Sequence, residues 1–462
     1  MRDQGSTDLS PNTDMKIRVR ASIIALALLA SVAGAQQPLP PVRPLGPVLS
    51  TSAEPLASVT QVRALPGGRV IVHDLTGRRV LLFDSTFKSF IVVADSTSAT
   101  GNAYGSRLGG LVTFRGDSTL FVDPQSISML VIDGNGKIVR TMAAPLPNEV
   151  MALIGGPNGT PGFDMQGRLV YRAQRRFAMN SFRGAAPGQF QLPASPESSF
   201  VVRVDLKTRK VDTAATFRIP KIQANMTRDE NTGNVQVTTT VNPMPWTDDW
   251  AMLSDGTVAI IRGQDYRVDL VSPDGQKTAG SKMAFDWQRL TDEDKTAMID
   301  STRIAIEKQR ATMMAQMAGT SGADSKTTSD TGKTGTRQRP QADGTMTISM
   351  GGRGGAGGAP SGVSLPLNFV SLNEMPDYRP AFRQGASRGD ADGNLWIRTS
   401  KMVNGGTVYD VVNNKGELKD RVLIPPGRVI AGWGPGGVVY MGVVDGTITR
   451  LERARVTAPT AK

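Results

Sequence analysis

A single histidine, His73, and the complete absence of cysteine limit the chemistry open to this chain. Without a thiol there is no cysteine nucleophile, no disulfide and no thiolate metal site. A zinc centre needing two or more histidines is excluded as well. A Ser-His-Asp triad would have to pass through His73, which is expected as a hydrogen-bonded packing residue and not as a base. No catalytic residue, metal ligand or cofactor is assigned. What the sequence does offer is a set of residues in register. Short repeated strands end at His73-Asp74, Asp123, Arg172, Arg262 and Arg398. Placed around one axis, they would form a split ring of two acids and three arginines beside the histidine. Such a ring suits an anionic or zwitterionic ligand, because the guanidinium fork matches an oxyanion in two-point contact. The other reading is that the same residues form ion pairs between repeats, or are solvated strand ends.

The elements that must position these residues repeat along the chain. Six times a Gly-bearing turn opens an alternating apolar strand: Gly67–Asp74, Gly116–Asp123, Gly167–Arg172, Gly256–Arg262, Gly393–Arg398 and Gly436–Gly442. The next strand closes with Phe83-Asp84, Ile132-Asp133, Val204-Asp205, Val271-Ser272 or Val412-Asn413. Asn, Asp and Gly between alternating strands mark hairpins, since they tolerate positive φ. A β unit that cannot bury both faces alone must stack on copies of itself. The first unit, Val59–Val93, carries four strands, which is the blade of a propeller. The sixth, from Val429, shows only three. Pro47–Ala57 is expected to supply its missing strand and remove an open sheet edge.

The predicted fold is therefore all-β: a six-bladed β-propeller over residues 47–456, closed by an N-terminal strand. Residues 36–46 are expected as a linker and 457–462 as a tail. One helix is predicted at 291–319, with Thr291 as N-cap, acids in its first turn and Ile299, Ile306, Met313 and Met317 on one face. That Met-rich stripe is read as packing. The Gly-, Ser- and Thr-rich segment 320–362 is predicted to stay disordered.

Residues 1–35 have the three parts of a secretory signal, with Lys16, Arg18 and Arg20 ahead of the apolar run Ala21–Val32 and Ala33-Gly34-Ala35 at the cleavage site. Met15 is the expected true start, because Asp3, Asp8 and Asp14 do not fit a positive leader. The apolar run is too short to cross a bilayer. A periplasmic or secreted protein is expected, acting as a monomer and without a transmembrane segment once the signal is removed. The net charge of +12 comes from interspersed Lys and Arg, with no basic run interleaved with aromatics. Nucleic acid is not an expected partner, despite the RGG-like Arg353-Gly354-Gly355. Pro245–Trp250, with two Trp and two Asp, is read as packing between repeats, or as a contact for a sugar or cation. The basic loop Arg172–Arg183 is read as exposed charge.

The Gly-x-ϕ-x-ϕ strand followed by a ϕ-x-ϕ-Asp strand resembles the six-bladed propellers of the NHL and TolB-like type over most of residues 47–456. That resemblance implies the architecture and leaves function open, since such folds host binders, scaffolds and a few enzymes. The expected function is recognition of a protein, peptide or glycan on a propeller face. The alternative is a divalent-metal-dependent lactonase or esterase, holding calcium in the central channel through Asp, Asn and Glu. Against it, Asp133 and Asp274 sit in turns, and Glu54, Glu149, Glu197, Glu230 and Glu374 fall in loops outside any repeat-equivalent strand position.

Overall fold

The computed structural model describes residues 39–97, 102–105, 108–174, 196–221, 223–228, 235–320, 347–349, 362–364 and 367–456. Residues 1–38, with the expected signal sequence, most of the basic loop and the C-terminal tail lie outside the described residues. Within residues 40–462, six sheets, five of four strands and one of five, follow one another in the order read from the sequence. Blade 1 runs through Gln61–Ala64, Val70–Asp74, Arg79–Phe83 and Phe90–Asp95, and blade 2 through Gly110–Thr113, Thr119–Asp123, Ser128–Ile132 and Ile138–Ala143. Blades 3, 4 and 5 begin at Gly162–Phe163, Asp249–Met252 and Phe382–Gly389. Blade 6 contributes Arg428–Gly434, Val438–Asp445 and Ile448–Arg455. The protein is a six-bladed β-propeller.

The turn chemistry explains why the strands fall where they do. At all six repeated turns the glycine sits in the left-handed region, from φ 56 at Gly116 to φ 83 at Gly393, where a Cβ would be strained. The side chains of Asp133, Asp164, Asp390 and Asn413 each accept backbone N–H bonds from the residues two and four further on. These Asx-type turns account for the acids at the strand ends.

The core is a set of thin layers between neighbouring blades. Val70, Phe83 and Phe87 of blade 1 pack on Val438, Tyr440 and Leu451 of blade 6. Ile71, Val80 and Leu82 meet Phe121 and Ile132 of blade 2. Equivalent layers join blades 2 and 3, 3 and 4, 4 and 5, and 5 and 6. Full burial of one such side chain stabilises by about 1.5–3 kcal/mol, so every interface depends on the presence of both its blades.

Closure comes from the N-terminal segment, as expected. Val48–Thr51 pairs antiparallel with Ile448–Arg455 as the outer strand of blade 6. Ser52 continues the contact, accepting from the Leu451 N–H through Oγ at 3.0 Å. The linker expected at 36–46 is corrected in part. Val42–Pro44 adds in parallel to Leu418–Ile424 of blade 5, with Arg43 clamped on the Asp420 carboxylate. Three residues are too few to show an alternating pattern, and the strand is held by that ion pair and a shared edge.

The insertion between blades 4 and 5 holds the predicted helix, α1, at Asp292–Thr320. Thr291 caps it, accepting the Asp294 N–H at 3.2 Å, while Asp294 accepts the Thr291 N–H at 3.0 Å. Met298 and Ile299 pack on a small core of Met244, Leu290, Val370 and Met375; the side chains of Met313 and Met317 lie outside the described residues. Two features depart from expectation. Gln223–Arg228, Val235–Val241 and Leu367–Phe369 form a separate three-stranded sheet. Within the segment expected to be disordered, Thr347–Ser349 pairs with the flanking Gly362–Ser364.

Deleting residues 36–51 should remove the outer strand of blade 6 and the fifth strand of blade 5. We expect a stability loss of at least about 2 kcal/mol from the exposed edges and lost hydrogen bonds, read as a lower urea midpoint. An unchanged midpoint would show that the ring does not depend on these strands.

Candidate ligand-binding channel

The first strand of each blade lines the centre of the ring, so the residues just before the repeated glycine turns face one cavity of about 1110 Å³. Its wall includes Gln61 and Arg63 from blade 1, Phe114 and Arg115 from blade 2, and Phe163 and Asp164 from blade 3. Met252 of blade 4, Arg388 and Asp390 of blade 5 and Trp433 of blade 6 complete it. Cavities of this size accommodate small-molecule ligands or a short chain segment.

The charges in the channel are not balanced. Asp164 is fully enclosed by its own turn and accepts from the Gln166 and Arg168 N–H groups and from Arg168 Nε at 2.8 Å. Arg203 Nε lies 3.6 Å from it. Asp390 accepts from the Asp392 and Asn394 N–H groups, the Asn394 amide and the Trp396 indole. Among the described residues neither acid pairs with a channel arginine. Arg63 instead donates to the carbonyls of Gly116 and Ser118 and to the Thr119 hydroxyl. Burial pulls its pKa down to about 10, against the opposing pull of Asp117. Arg388 donates to the carbonyls of Gly385, Ser387 and Gly156, and burial lowers its pKa as well. Arg115 is exposed, lies 5.7 Å from the Phe114 ring centre and has no carboxylate partner among the described residues. Carbonyls satisfy the N–H groups of Arg63 and Arg388 without cancelling their charge. The lining thus holds three arginines against two acids.

None of the six residues expected to form the ring lines this channel. They stand on the second strands of blades 1–5, one strand back from the axis. His73 is buried between blades 1 and 2, with ring centres 5.2 Å from Phe121 and 6.4 Å from Tyr104. It is a packing residue, and neither ring nitrogen has a hydrogen-bond partner among the described residues. Burial lowers its pKa to about 4, although Asp74 opposes the shift. Asp74 accepts from the N–H groups of Ala57, Ser58 and Gly77 and pairs with Arg79, tying the closing segment to blade 1. Asp123 accepts from the Gly105 and Gln125 N–H groups and the Ser126 hydroxyl. Arg172 lies over the Phe217 ring at 5.3 Å and donates to Ser199. Arg262 pairs with Asp269 at 2.7 Å and Asp248 at 2.9 Å. Arg398 alone of the set is exposed and lines a different cavity.

The Trp and Asp cluster also has a structural account. Trp250 is buried between blades 3 and 4, its indole donating to the Asn158 carbonyl. The buried Asp249 carboxylate receives the N–H groups of Gly385, Ala386 and Ser387 at 2.9, 3.0 and 2.9 Å, where the first strand of blade 5 shifts register. Burial raises its pKa despite those bonds. The channel residues themselves were missed by reading the strands after the glycine turns. Their signal lies before the turns, in Gln61-Val62-Arg63, Phe114-Arg115 and Arg388-Gly389-Asp390.

The described residues contain no group of three or more His, Cys, Asp or Glu side chains gathered to hold a metal. No known protein-family pattern matches the chain, and no curated protein matches it. Among solved structures it is similar to a calcium-binding regucalcin from Agrobacterium tumefaciens, with 11% identity and a TM-score of 0.36 over 91% of this chain and 100% of the other. It is similar to a gluconolactonase from Xanthomonas campestris at 11% identity and a TM-score of 0.34, covering 89% and 99% of the two chains. Virginiamycin B lyase from Staphylococcus aureus gives 8% identity and a TM-score of 0.33, covering 87% and 96%. Likeness at this level carries no residue role to the present chain. The six-bladed plan stands on its own strand order, and the NHL or TolB-like type is not singled out.

Two outcomes test the placement of the second-strand residues. Replacing Asp74 by Ala should leave buried N–H groups and Arg79 without their acceptor, costing about 2–4 kcal/mol in urea unfolding without altering ligand binding in the channel. For His73, the folded-state pKa lies below its unfolded value of 6.5. The unfolded chain therefore takes up the proton first, and stability is lost as pH falls from about 6.5 towards about 4. His73→Phe should flatten that part of the stability profile, and an equally steep profile in the variant would assign it to other groups.

Proposed function

We propose that the protein is an exported binding propeller, periplasmic or secreted and monomeric, whose channel recognises an anionic segment of a protein or peptide ligand. One observation carries this reading: Arg63, Arg115 and Arg388 line a single cavity in which both acids are already enclosed by their own turns. Three guanidinium groups set against two acids in a concave site focus field on an incoming anion. The apolar part of the wall, with Phe114 and Phe163 at 5.1 Å and the exposed Met165, suits side chains flanking an acidic group better than a sugar ring. The metal-dependent hydrolase reading would need channel carboxylates with free lone pairs, and Asp164 and Asp390 spend theirs on N–H groups.

The test is a titration of the mature protein with two labelled peptides of equal length, one rich in Glu and Leu, the other in Lys and Leu. The acidic peptide should bind, with affinity falling as salt is raised. Arg115→Glu should weaken it by about tenfold or more without changing the melting temperature. Equal binding of both peptides would sink the proposal, as would calcium-dependent turnover of a lactone or ester by the same preparation.

A further inference from the structure

A second cavity, of about 520 Å³ and sharing no residue with the channel, opens where the returning end of the α1 insertion meets blade 5. Its lining contains three arginines, Arg379, Arg383 and Arg398, and no acidic residue. Elsewhere on this propeller, strand-end arginines find carboxylates: Arg43 on Asp420, Arg262 on Asp248 and Asp269, Arg421 on Asp410, Arg428 on Glu452. Here the acids nearby are already engaged. Asp248 holds Arg262, Asp286 holds Lys401, and Asp377 holds Lys295. Arg383 and Arg398 are exposed and have no hydrogen-bonding or ion-pair partner among the described residues. Two further donors of the lining, Arg379 Nε and Gln384 Nε2, are buried with none either. Buried donors are ordinarily satisfied, so an orphaned pair beside unpaired cations marks a place where an acceptor belongs.

The rest of the wall is rigid and apolar. Pro220, Pro243, Pro245 and Pro380 fix four backbone positions, and Met244, Phe382 and Met402 cover the remainder. Met244 belongs to the small core under α1, and the Arg379 N–H donates to the Gln288 carbonyl. The insertion thus carries two cavity residues, Arg379 and Pro380, back onto the rim of blade 5 and holds them there. Little order has to be gained when a ligand enters.

The geometry points to this cavity as a second binding site, for a small organic oxyanion (a carboxylate or phosphate monoester) carrying an apolar body. The guanidinium forks take the oxyanion and the Pro and Met wall takes the body. The site is independent of the channel reading, because no residue is shared.

Isothermal titration of the mature protein with phenylacetate, phenyl phosphate, phenylacetamide and inorganic phosphate tests it. Phenylacetate or phenyl phosphate should bind saturably, and whichever binds more tightly identifies the oxyanion. Neutral phenylacetamide should not bind, and inorganic phosphate should bind more weakly than its phenyl ester. Arg383→Gln and Arg398→Gln should each weaken binding by about tenfold with the melting temperature unchanged, while the channel variant Arg115→Glu should leave it intact. The assignment is overturned if none of the probes saturates up to ~10 mM, if phenylacetamide binds as well as phenylacetate, or if the Arg383→Gln, Arg398→Gln double variant binds like the parent.

Discussion

Closure of the ring is the constraint on which the rest of this structure depends. Each blade buries one face against the blade before it and the other against the blade after it, so no layer of the core is complete until the circle is. The join is made by Val48–Thr51 on Ile448–Arg455 and reinforced on both sides. Arg43 fastens the preceding strand to blade 5, and Asp74 gathers the N–H groups of Ala57 and Ser58 onto blade 1. With the circle fixed, the first strands converge on the axis and their side chains have nowhere to go but the channel.

Within that frame the two kinds of charge are used differently. Carboxylates hold backbone together: Asp164 and Asp390 order their own turns, Asp74 and Asp249 gather the N–H groups of neighbouring segments, and Asp410 joins Tyr266 to Arg421 across blades 4 and 5. Arginines are in excess, and those that find no acid end on carbonyls or at cavity walls. The positive field at the channel and at the blade 5 rim is thus a by-product of how the turns and seams consume acid. A basic protein with acids in its hairpins keeps its charge where strands begin and end.

The sequence shows the repeat plainly because glycine adopts positive φ without the strain a Cβ brings. From Gly67 to Gly436, each turn declares itself and sets the strand after it. The closing strand was legible from a missing fourth strand in blade 6, and the helix from its Thr291 cap. The parallel strand Val42–Pro44 was not, since its partner lies in blade 5 and three residues hold no period. The side sheet escaped for a related reason: Val235–Val241 alternates, but one of its neighbours, Leu367–Phe369, comes after the whole helical insertion. The candidate ring residues stand one step of topology away from the channel. Arg262 and Arg172 are in register, as read, yet on a strand set back from the axis, while Arg63 and Arg388 lie on the short strands ahead of each turn. His73 was legible as a packing residue, though no local pattern reveals that Phe121 of the next blade covers it.

The seam between Val48–Thr51 and Ile448–Arg455 also carries a temporal consequence. The two halves of one blade stand at opposite ends of the folded sequence, so the contact with the largest loop to close is also the one that completes the circle. Strands made early must wait, edge exposed, until nearly the last strand has been made. Synthesis order thus makes completion of this propeller a late event.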